Sequence, residues 1–185
     1  DLGVARAAFE SVPWVRRAVV QRRWPNRLAV RLEEHQPAAL WTSTDGSDKL
    51  VNTFGEVFDA ILGDVEDEAL PTFTGPEGSS ARLLAMYQRL APLLQRLDDA
   101  VIEELALSAR GSWRVALDSG ATLELGRGEE AEVLARTERF VRTVAQVTGR
   151  YQRPLQYADL RHSDGYAVKL SGISTTPAEP GAKNP

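Results

Sequence analysis

Apolar and polar residues alternate along two short runs near the start of the chain, and Pro25-Asn26 lies between them. Alternation with a period of two is typical of β-strands, and a Pro-Asn pair suits the turn of a hairpin. Residues 2–9 are interpreted as the end of a helix, which Pro13 closes because proline lacks a backbone N–H donor. This region is therefore predicted to form a helix and a β-hairpin. The positions that share a strand face are Ala18, Val20, Arg22 and Trp24 in the first run, and Leu28, Val30 and Leu32 in the second.

Two further helices are predicted later in the chain. The first starts at Ser79 or Ser80, because serine is a common N-cap and apolar residues then recur at spacings of four and three. The second covers residues 129–147, with acidic residues in its first turn and Gly149 as its stop signal. The apolar stripe of the first helix comprises Leu83, Tyr87, Leu90, Leu94 and Leu97.

Short apolar runs separated by polar or glycine-containing segments predict many strands after Pro37. They lie at residues 39–41, 50–51, 57–58, 70–73, 101–107, 113–117, 122–125, 155–160 and 166–170. The turn at residues 118–120 makes the central runs an antiparallel meander, and residues 162–165 turn between the last two runs. Two helices among many strands, in no repeating order, predict an α+β fold with antiparallel sheet.

A change of pattern near Gln36 predicts a domain boundary. Residues 1–36 then form a small helix-and-hairpin unit, and residues 37–170 form a larger β domain with two helices. Residues 171–185 are rich in proline, threonine and glycine, so we expect them to be disordered.

Composition and charge narrow the class of protein. The chain has 185 residues, of which 43% are hydrophobic, so it can fill a substantial core. No run of 18 apolar residues is present, and the sequence shows no membrane span or signal peptide. The lack of cysteine excludes disulfides and thiol catalysis. The formal net charge is −4, and a modest excess of arginine in residues 1–35 does not predict nucleic-acid binding.

Clusters of polar residues do not predict catalysis. Glu33, Glu34 and His35 are the best neighbouring metal-ligand candidates, but on a strand the two glutamates face opposite sides. The turn at residues 162–165 places histidine, serine and aspartate side by side, yet adjacent residues cannot adopt the geometry of a catalytic triad. We therefore predict that the chain is not an enzyme and has no metal site and no cofactor.

Two surfaces remain as candidates for binding. The hairpin carries six arginines, which form either a solvated strand face, the favoured interpretation, or a contact for acidic partners or lipid headgroups. The last predicted strand is expected at a sheet edge. On position alone a plain terminal strand is the favoured interpretation, and an edge whose open backbone groups accept a partner strand is the alternative. The arginines are Arg16, Arg17, Arg22, Arg23, Arg27 and Arg31.

Several short motifs follow one another between residues 12 and 168. The first two are Pro13-Trp14-Val15-Arg16 and Arg22-Arg23-Trp24-Pro25-Asn26. Others lie at residues 33–41, 50–58, 70–79, 110–113, 125–128, 134–136 and 157–161. In their order and spacing these motifs resemble those of the FtsQ/DivIB family of bacterial cell-division proteins.

The resemblance implies the C-terminal part of a POTRA domain in residues 1–36 and an FtsQ-type β domain in residues 37–170. It implies a non-enzymatic scaffold of the divisome that lies in the periplasm at the division septum. A single-pass anchor in the inner membrane would lie upstream. Its partners would be FtsB and FtsL, through which it links early and late division proteins, and other divisome proteins would meet the POTRA domain.

The resemblance also implies a partner site at the last strand, which would receive a strand of FtsB. Arg110 and Arg161 would pair with acidic residues of the partner, and Gly165 would let the partner backbone approach. The residues of the predicted partner site are Arg110, Arg161, His162, Asp164, Gly165, Tyr166, Val168 and Leu170. The residues of the predicted POTRA contact face are Arg16, Arg22, Arg23 and Arg27.

The sequence departs from the family pattern at two telling positions. His162 stands where the pattern has a tyrosine, and Leu170 stands where it has a tryptophan. Both changes remove aromatic contact area, for which the partner sequence would have to compensate. A POTRA-bearing module of outer-membrane protein assembly or secretion is the alternative, but such proteins typically carry repeated POTRA domains, and the sequence shows no repeat.

Overall fold

The computed structural model describes residues 1–42 and 48–172, so most of the predicted disordered tail, at residues 173–185, lies outside the described residues. The described chain forms three α-helices and eleven strands in two sheets. The helices are α1 (Leu2–Glu10), α2 (Ser80–Leu94) and α3 (Glu130–Tyr151). The strands are β1 (Val15–Arg23), β2 (Arg27–Glu34), β3 (Pro37–Thr42), β4 (Asp48–Asn52), β5 (Val57–Phe58), β6 (Thr72–Thr74), β7 (Ile102–Leu107), β8 (Trp113–Leu117), β9 (Thr122–Gly126), β10 (Leu155–Asp159) and β11 (Ala167–Leu170).

Strands β1 and β2 form the predicted antiparallel hairpin, and helix α1 contacts β1. The register places Leu32 opposite Ala18 and Val30 opposite Val20, so the apolar positions of both strands lie on one side of the hairpin. Ala18 is buried, whereas Leu28, Val30 and Leu32 are exposed. The hairpin therefore buries only a small part of its apolar side within the described chain.

The chain passes from the hairpin to the large sheet at Gln36, where the domain boundary is predicted. The His35 N–H donates to the Trp14 carbonyl at 2.9 Å, and the Thr53 N–H donates to the Gln36 carbonyl at 2.9 Å. Backbone hydrogen bonds thus fix the chain on both sides of this junction. The division into domains at this point stays a prediction.

The other nine strands form one sheet in the order β11-β10-β9-β8-β7-β6-β3-β4-β5. The α+β class is confirmed, and β7, β8 and β9 form the predicted antiparallel meander. The expectation of antiparallel pairing fails at three pairs, β3–β6, β6–β7 and β9–β10, which are parallel. Parallel neighbours need a long crossover, and helices α2 and α3 supply it between β6 and β7 and between β9 and β10.

Helices α2 and α3 contact each other and the sheet, and they cover the main core. Leu83, Leu90 and Leu94 of the predicted α2 stripe are fully buried, which confirms the face assigned to this helix. Tyr87 and Leu97 are partly buried against the same core, although Leu97 lies beyond the end of α2. The largest fully buried side chains are Trp113, Phe73 and Phe140.

Helix α3 continues beyond the predicted stop at Gly149 and ends at Tyr151. Gln152 follows with φ 50°, in the left-handed region in which many helices end. The prediction was wrong because a glycine inside a helix costs only about 1 kcal/mol. Burial of α3 residues such as Val141 and Val144 offsets that cost.

Candidate functional site

Strand β11 lies at one edge of the nine-stranded sheet, as predicted for the last strand. It pairs with β10 alone, in antiparallel orientation, so one side of its backbone has no strand partner within residues 1–42 and 48–172. Strand β11 begins at Ala167, one residue later than predicted. Its open N–H and C=O groups form a template for an additional strand.

The side chains of β11 alternate between the core and the surface. Ala167 and Lys169 are exposed, whereas Val168 is half-buried and Leu170 is 5% exposed. Leu170 therefore cannot offer its side chain to a partner in the way that an exposed aromatic residue would. On this strand a partner would meet the backbone and the side chains of Ala167 and Lys169.

Tyr166, which precedes β11, is directed towards helix α3. Its hydroxyl lies 2.7 Å from the Thr143 Oγ1 atom, and its ring meets the Phe140 ring edge-on at 4.9 Å. These contacts anchor the start of β11 to the body of the protein. Tyr166 is half-buried, so a partner could meet its backbone and only part of its side chain.

The loop before β11 is open to solvent. His162 and Asp164 are exposed, and a Cβ atom added at Gly165 would meet no heavy atom within 4 Å. The Arg139 Nη2 atom donates to the Ser163 carbonyl at 3.4 Å, which ties the loop to α3. The predicted approach of a partner backbone at Gly165 is sterically free, and the role itself stays a prediction.

Arg161 lies two residues beyond the end of β10 and is held by Asp159. Its Nε atom donates to Asp159 Oδ1 at 2.8 Å and its Nη2 atom to Oδ2 at 2.6 Å. This pairing lowers the pKa of Asp159 from 3.8 to about 2. Gly126 allows the close approach of Arg161, because its φ is 81° and an added Cβ would lie 2.9 Å from Arg161 Cγ.

A cavity of about 340 Å³ opens beside Arg161. It brings together Arg110 and Arg161, the two arginines predicted to meet partner acids, although 51 positions separate them in the sequence. Two further arginines that sequence reasoning did not assign, Arg127 and Arg136, line the same cavity. Both belong to motifs that carry the family resemblance, so a signal was present, but nothing in the sequence indicated that they converge. The remaining lining residues are Ser108, Ser112 and Gly126.

The predicted POTRA contact face divides into two parts. Arg22, Arg23 and Arg27 are exposed at the turn of the hairpin, beside Trp24, which is 92% exposed. Arg16 differs, because its guanidinium is hydrogen-bonded to Glu33 and Glu56 and is therefore less available to a partner. The role of the face as a contact surface stays a prediction.

Arg16 joins the hairpin to the large sheet. Its Nη1 atom donates to Glu33 at 2.6 Å, its Nε atom donates to Glu56 at 2.7 Å, and its guanidinium lies 3.9 Å from the centre of the Phe54 ring. Hydrogen bonds from Arg16 and then from Asn52 lower the pKa of Glu56 from 4.5 to about 2. Charge-assisted hydrogen bonds of this kind hold two surfaces in a defined orientation.

Aromatic rings complete this junction. The His35 ring stacks on Phe58 at 4.1 Å, and the Trp14 ring meets Phe58 edge-on at 5.5 Å. Trp14 Nε1 donates to Asp64 at 2.9 Å, and Asn52 Nδ2 lies 2.9 Å from His35 Nδ1. Burial lowers the pKa of His35, which favours the neutral ring that can accept this hydrogen bond. His35 therefore packs and hydrogen-bonds at the junction between the hairpin and the large sheet.

Two further features bear on function. No helix of the described residues is both long and apolar enough to span a membrane. Within the same residues, no three histidine, aspartate or glutamate side chains lie together in a way that could hold a metal ion.

Comparison with known proteins identifies the family. The family described as "Cell division protein FtsQ/DivIB, C-terminal" matches residues 39–161. The FtsQ-type POTRA domain matches residues 1–35. The chain belongs to the FtsQ/DivIB family. Its relatives are cell-division proteins, and these matches favour this family over the alternative of outer-membrane protein assembly.

Individual relatives agree with this assignment. The cell division protein FtsQ of Thiomonas arsenitoxydans is 42% identical over 174 residues, which cover 94% of this chain and 64% of the relative. The FtsQ protein of Burkholderia pseudomallei is 43% identical, with 94% and 67% covered. That of Neisseria gonorrhoeae is 33% identical, with 91% and 65% covered. The chain therefore spans about two thirds of the length of these curated relatives.

Proposed function

We propose that this chain is a non-enzymatic scaffold of the divisome that binds FtsB and FtsL in the periplasm. In this proposal FtsB adds a strand to β11, and an upstream segment anchors the protein in the inner membrane at the division septum. The observation that carries the proposal is the open edge of β11, with a cavity lined by arginines at the end of the sheet where β11 starts.

The register of β10 and β11 supports this geometry. Asp159 pairs with Ala167, so Arg161, two residues after Asp159, lies near the start of β11. A partner strand along β11 would run past Ala167 towards the cavity that contains Arg110 and Arg161. Backbone hydrogen bonds would then supply affinity, and acidic side chains of the partner would meet the arginines.

Burial on β11 limits where selectivity can arise. The Leu170 side chain is buried, and the half-buried Tyr166 side chain is hydrogen-bonded to α3, so neither provides a fully exposed aromatic anchor. Selectivity would therefore depend on Lys169, on the exposed loop before the strand and on the arginine cavity. The exposed arginines of the hairpin turn, Arg22, Arg23 and Arg27, would serve other divisome proteins.

Proline variants of β11 test strand addition directly. Successive N–H groups on a strand point to opposite sides, so of Val168 and Lys169 one N–H faces β10 and the other faces the open edge. Proline at the outward position removes an N–H of β11 that would donate to the partner strand and leaves the pairing with β10 intact. Proline at the inward position instead breaks the β10–β11 ladder. We would titrate Val168→Pro and Lys169→Pro with the periplasmic segment of the cognate FtsB by calorimetry, and repeat each titration with FtsL present.

One of the two variants is expected to keep the unfolding temperature of the wild type and to lose FtsB binding. Lys169→Ala is the matched control, because it removes the side chain but keeps the N–H group, and it should still bind. If both proline variants fold normally and bind FtsB as tightly as the wild type, strand addition at β11 is wrong.

A further inference from the structure

Four arginines line one cavity at the end of the large sheet that is nearest the start of β11. They come from different elements: Arg110 from the turn between β7 and β8, Arg127 from the end of β9, Arg136 from α3 and Arg161 from the end of β10. Because these elements belong to the packed body of the protein, the fold brings the four residues to one place before a ligand arrives, and hydrogen bonds hold the side chains of Arg136 and Arg161 there.

The positive charge of the cavity is poorly neutralised by the protein. Asp159 pairs with Arg161, but no ion pair joins Arg110, Arg127 or Arg136 to an acidic residue in the described part of the chain. No acidic residue lines the cavity. Like charges gathered in this way repel one another and attract an anionic ligand.

Arg136 is held in place but not saturated. Its Nη2 atom donates to the Arg127 carbonyl, which fixes the guanidinium at the cavity. Its Nε atom is buried and has no hydrogen-bond partner among the residues that the structure describes. A buried donor without a partner is costly, so the interactions of the Arg136 guanidinium are incomplete within the described residues.

We propose that Arg127 and Arg136 join Arg110 and Arg161 to bind an acidic stretch of the partner chain that carries at least two carboxylates. The inference rests on the proposed function and deepens it, because the acidic stretch would flank the strand added to β11. A single carboxylate would leave most of the cavity charge unbalanced, since Asp159 already offsets one of the four arginines. The cavity volume of about 340 Å³ has room for more than one carboxylate group.

The position of the cavity favours a peptide over a free anion. The cavity lies at the end of the sheet where β11 starts, so the chain that continues a strand added to β11 would emerge near the arginines and deliver the acidic stretch at a high effective concentration. The acids would then bring selectivity and a faster association rate, while the backbone bonds of β11 hold the complex. We expect partners whose flanking chain is neutral to bind β11 more weakly.

The test compares Arg127→Gln with Arg142→Gln in titrations with the periplasmic segment of the cognate FtsB. Arg127 is exposed and its side chain makes no hydrogen bond or ion pair within the described residues, so its replacement should not affect folding. Arg142 is an exposed arginine on α3, the helix that carries Arg136, but it does not line the cavity. It controls for the loss of one positive charge.

Arg127→Gln is expected to raise the Kd about threefold to tenfold at low salt, and the difference should shrink in 0.5 M NaCl. Arg136→Gln should weaken binding further, and Arg136→Lys should restore part of the loss. Arg142→Gln should bind as the wild type. The acidic residues of the FtsB segment are also changed one at a time to amides. At least two of these changes should weaken binding to the wild type but should not weaken binding to the double variant Arg127→Gln/Arg136→Gln any further.

Two results would overturn the inference, and each is distinct from failure of strand addition. In the first, Arg127→Gln and Arg136→Gln bind with wild-type affinity at low salt, while the outward proline variant still loses binding. Strand addition would then stand, and the role of Arg127 and Arg136 in binding would be rejected. In the second, Arg127→Gln and Arg142→Gln lose the same amount of affinity, which would mean that the effect comes from the net charge of the protein and not from the cavity. Normal binding by both proline variants would instead reject the proposed function.

Discussion

The hairpin and the large sheet are built from similar alternating strands, yet they bury very different shares of their apolar residues. In β7, β8 and β9 the inward residues, such as Leu105, Val115 and Leu123, are fully buried under α2 and α3. In β1 and β2 only Ala18 is buried, and Leu28 is 59% exposed. Alternation therefore indicates a strand, but the helices packed on it decide how much stability it gains.

The hairpin is instead held by the junction at its base. Arg16, Trp14 and His35 reach across to Glu56, Asp64 and Phe58 through hydrogen bonds and ring contacts. Polar contacts at a partly exposed surface contribute less than a buried core of the same size. We therefore expect the hairpin to be the weaker of the two regions and to depend on the junction for its orientation.

Matched leucine truncations give the largest predicted difference between the two regions. Leu105→Ala removes a fully buried side chain from β7 and should lower the free energy of unfolding by about 2–5 kcal/mol. Leu28→Ala, on the exposed side of the hairpin, should change it by less than about 0.5 kcal/mol. Urea unfolding of both variants measures the contrast. Equal losses would mean that the hairpin side is covered in solution and that the comparison is wrong.

Asn52→Ala should have the next largest effect, because it breaks the junction from the sheet side. Asn52 is fully buried, its Oδ1 atom accepts the N–H groups of Phe54 and Glu56 at 2.9 Å, and its Nδ2 atom donates to Glu56 at 2.7 Å. Loss of these bonds should cost about 1–3 kcal/mol and should expose the hairpin to limited proteolysis. Asn26→Ala, in the exposed hairpin turn, is the control and should leave both readouts unchanged.

Sequence patterns predicted local structure well because the information is local. The α2 stripe and its serine start, the meander and the edge position of the last strand follow from periodicity, capping and chain order. The parallel pairs did not follow, because alternation marks the faces of a strand and not its neighbours. The left-handed cap at Gln152 was also missed, since glutamine is an unusual residue at that position.

The candidate site could be predicted only in part, because sequence patterns carry local information and the site joins distant segments. Arg110 and Arg161 came from family motifs, and the fold brings them together at one cavity. Arg136 lies on a helix, where its motif gave no hint that it faces the end of β9. The bonds from Arg16 to Glu56 span 40 residues, and no local pattern records such a contact. Contacts between distant segments thus required the structure.

The decline of the free energy of unfolding at acidic pH offers a test of the junction with a smaller and more specific effect. The folded pKa of Glu56 is about 2, below the unfolded value of 4.5, so its contribution is present above pH 4.5 and is lost as the pH falls towards 2. Glu56→Gln should therefore lower stability at pH 7 and flatten its decline between pH 4.5 and pH 3. Unfolding midpoints across this range would show the change. Glu138→Gln, on the exposed side of α3, should keep the slope of the wild type.

Gly149→Ala should produce the smallest effect, and it should act on the large-sheet region alone. Gly149 lies within α3, and an added Cβ would meet no heavy atom within 4 Å, so alanine should stabilise the helix by about 0.5–1 kcal/mol. Gly126→Ala is the contrasting variant, because its φ of 81° and the nearby Arg161 make any side chain unfavourable there. Hydrogen exchange can follow both regions in each variant. If Gly149→Ala slows exchange in α3 and β9 but not in β1 and β2, the two regions open separately. Equal protection of the hairpin would show that the junction couples them into one cooperative unit.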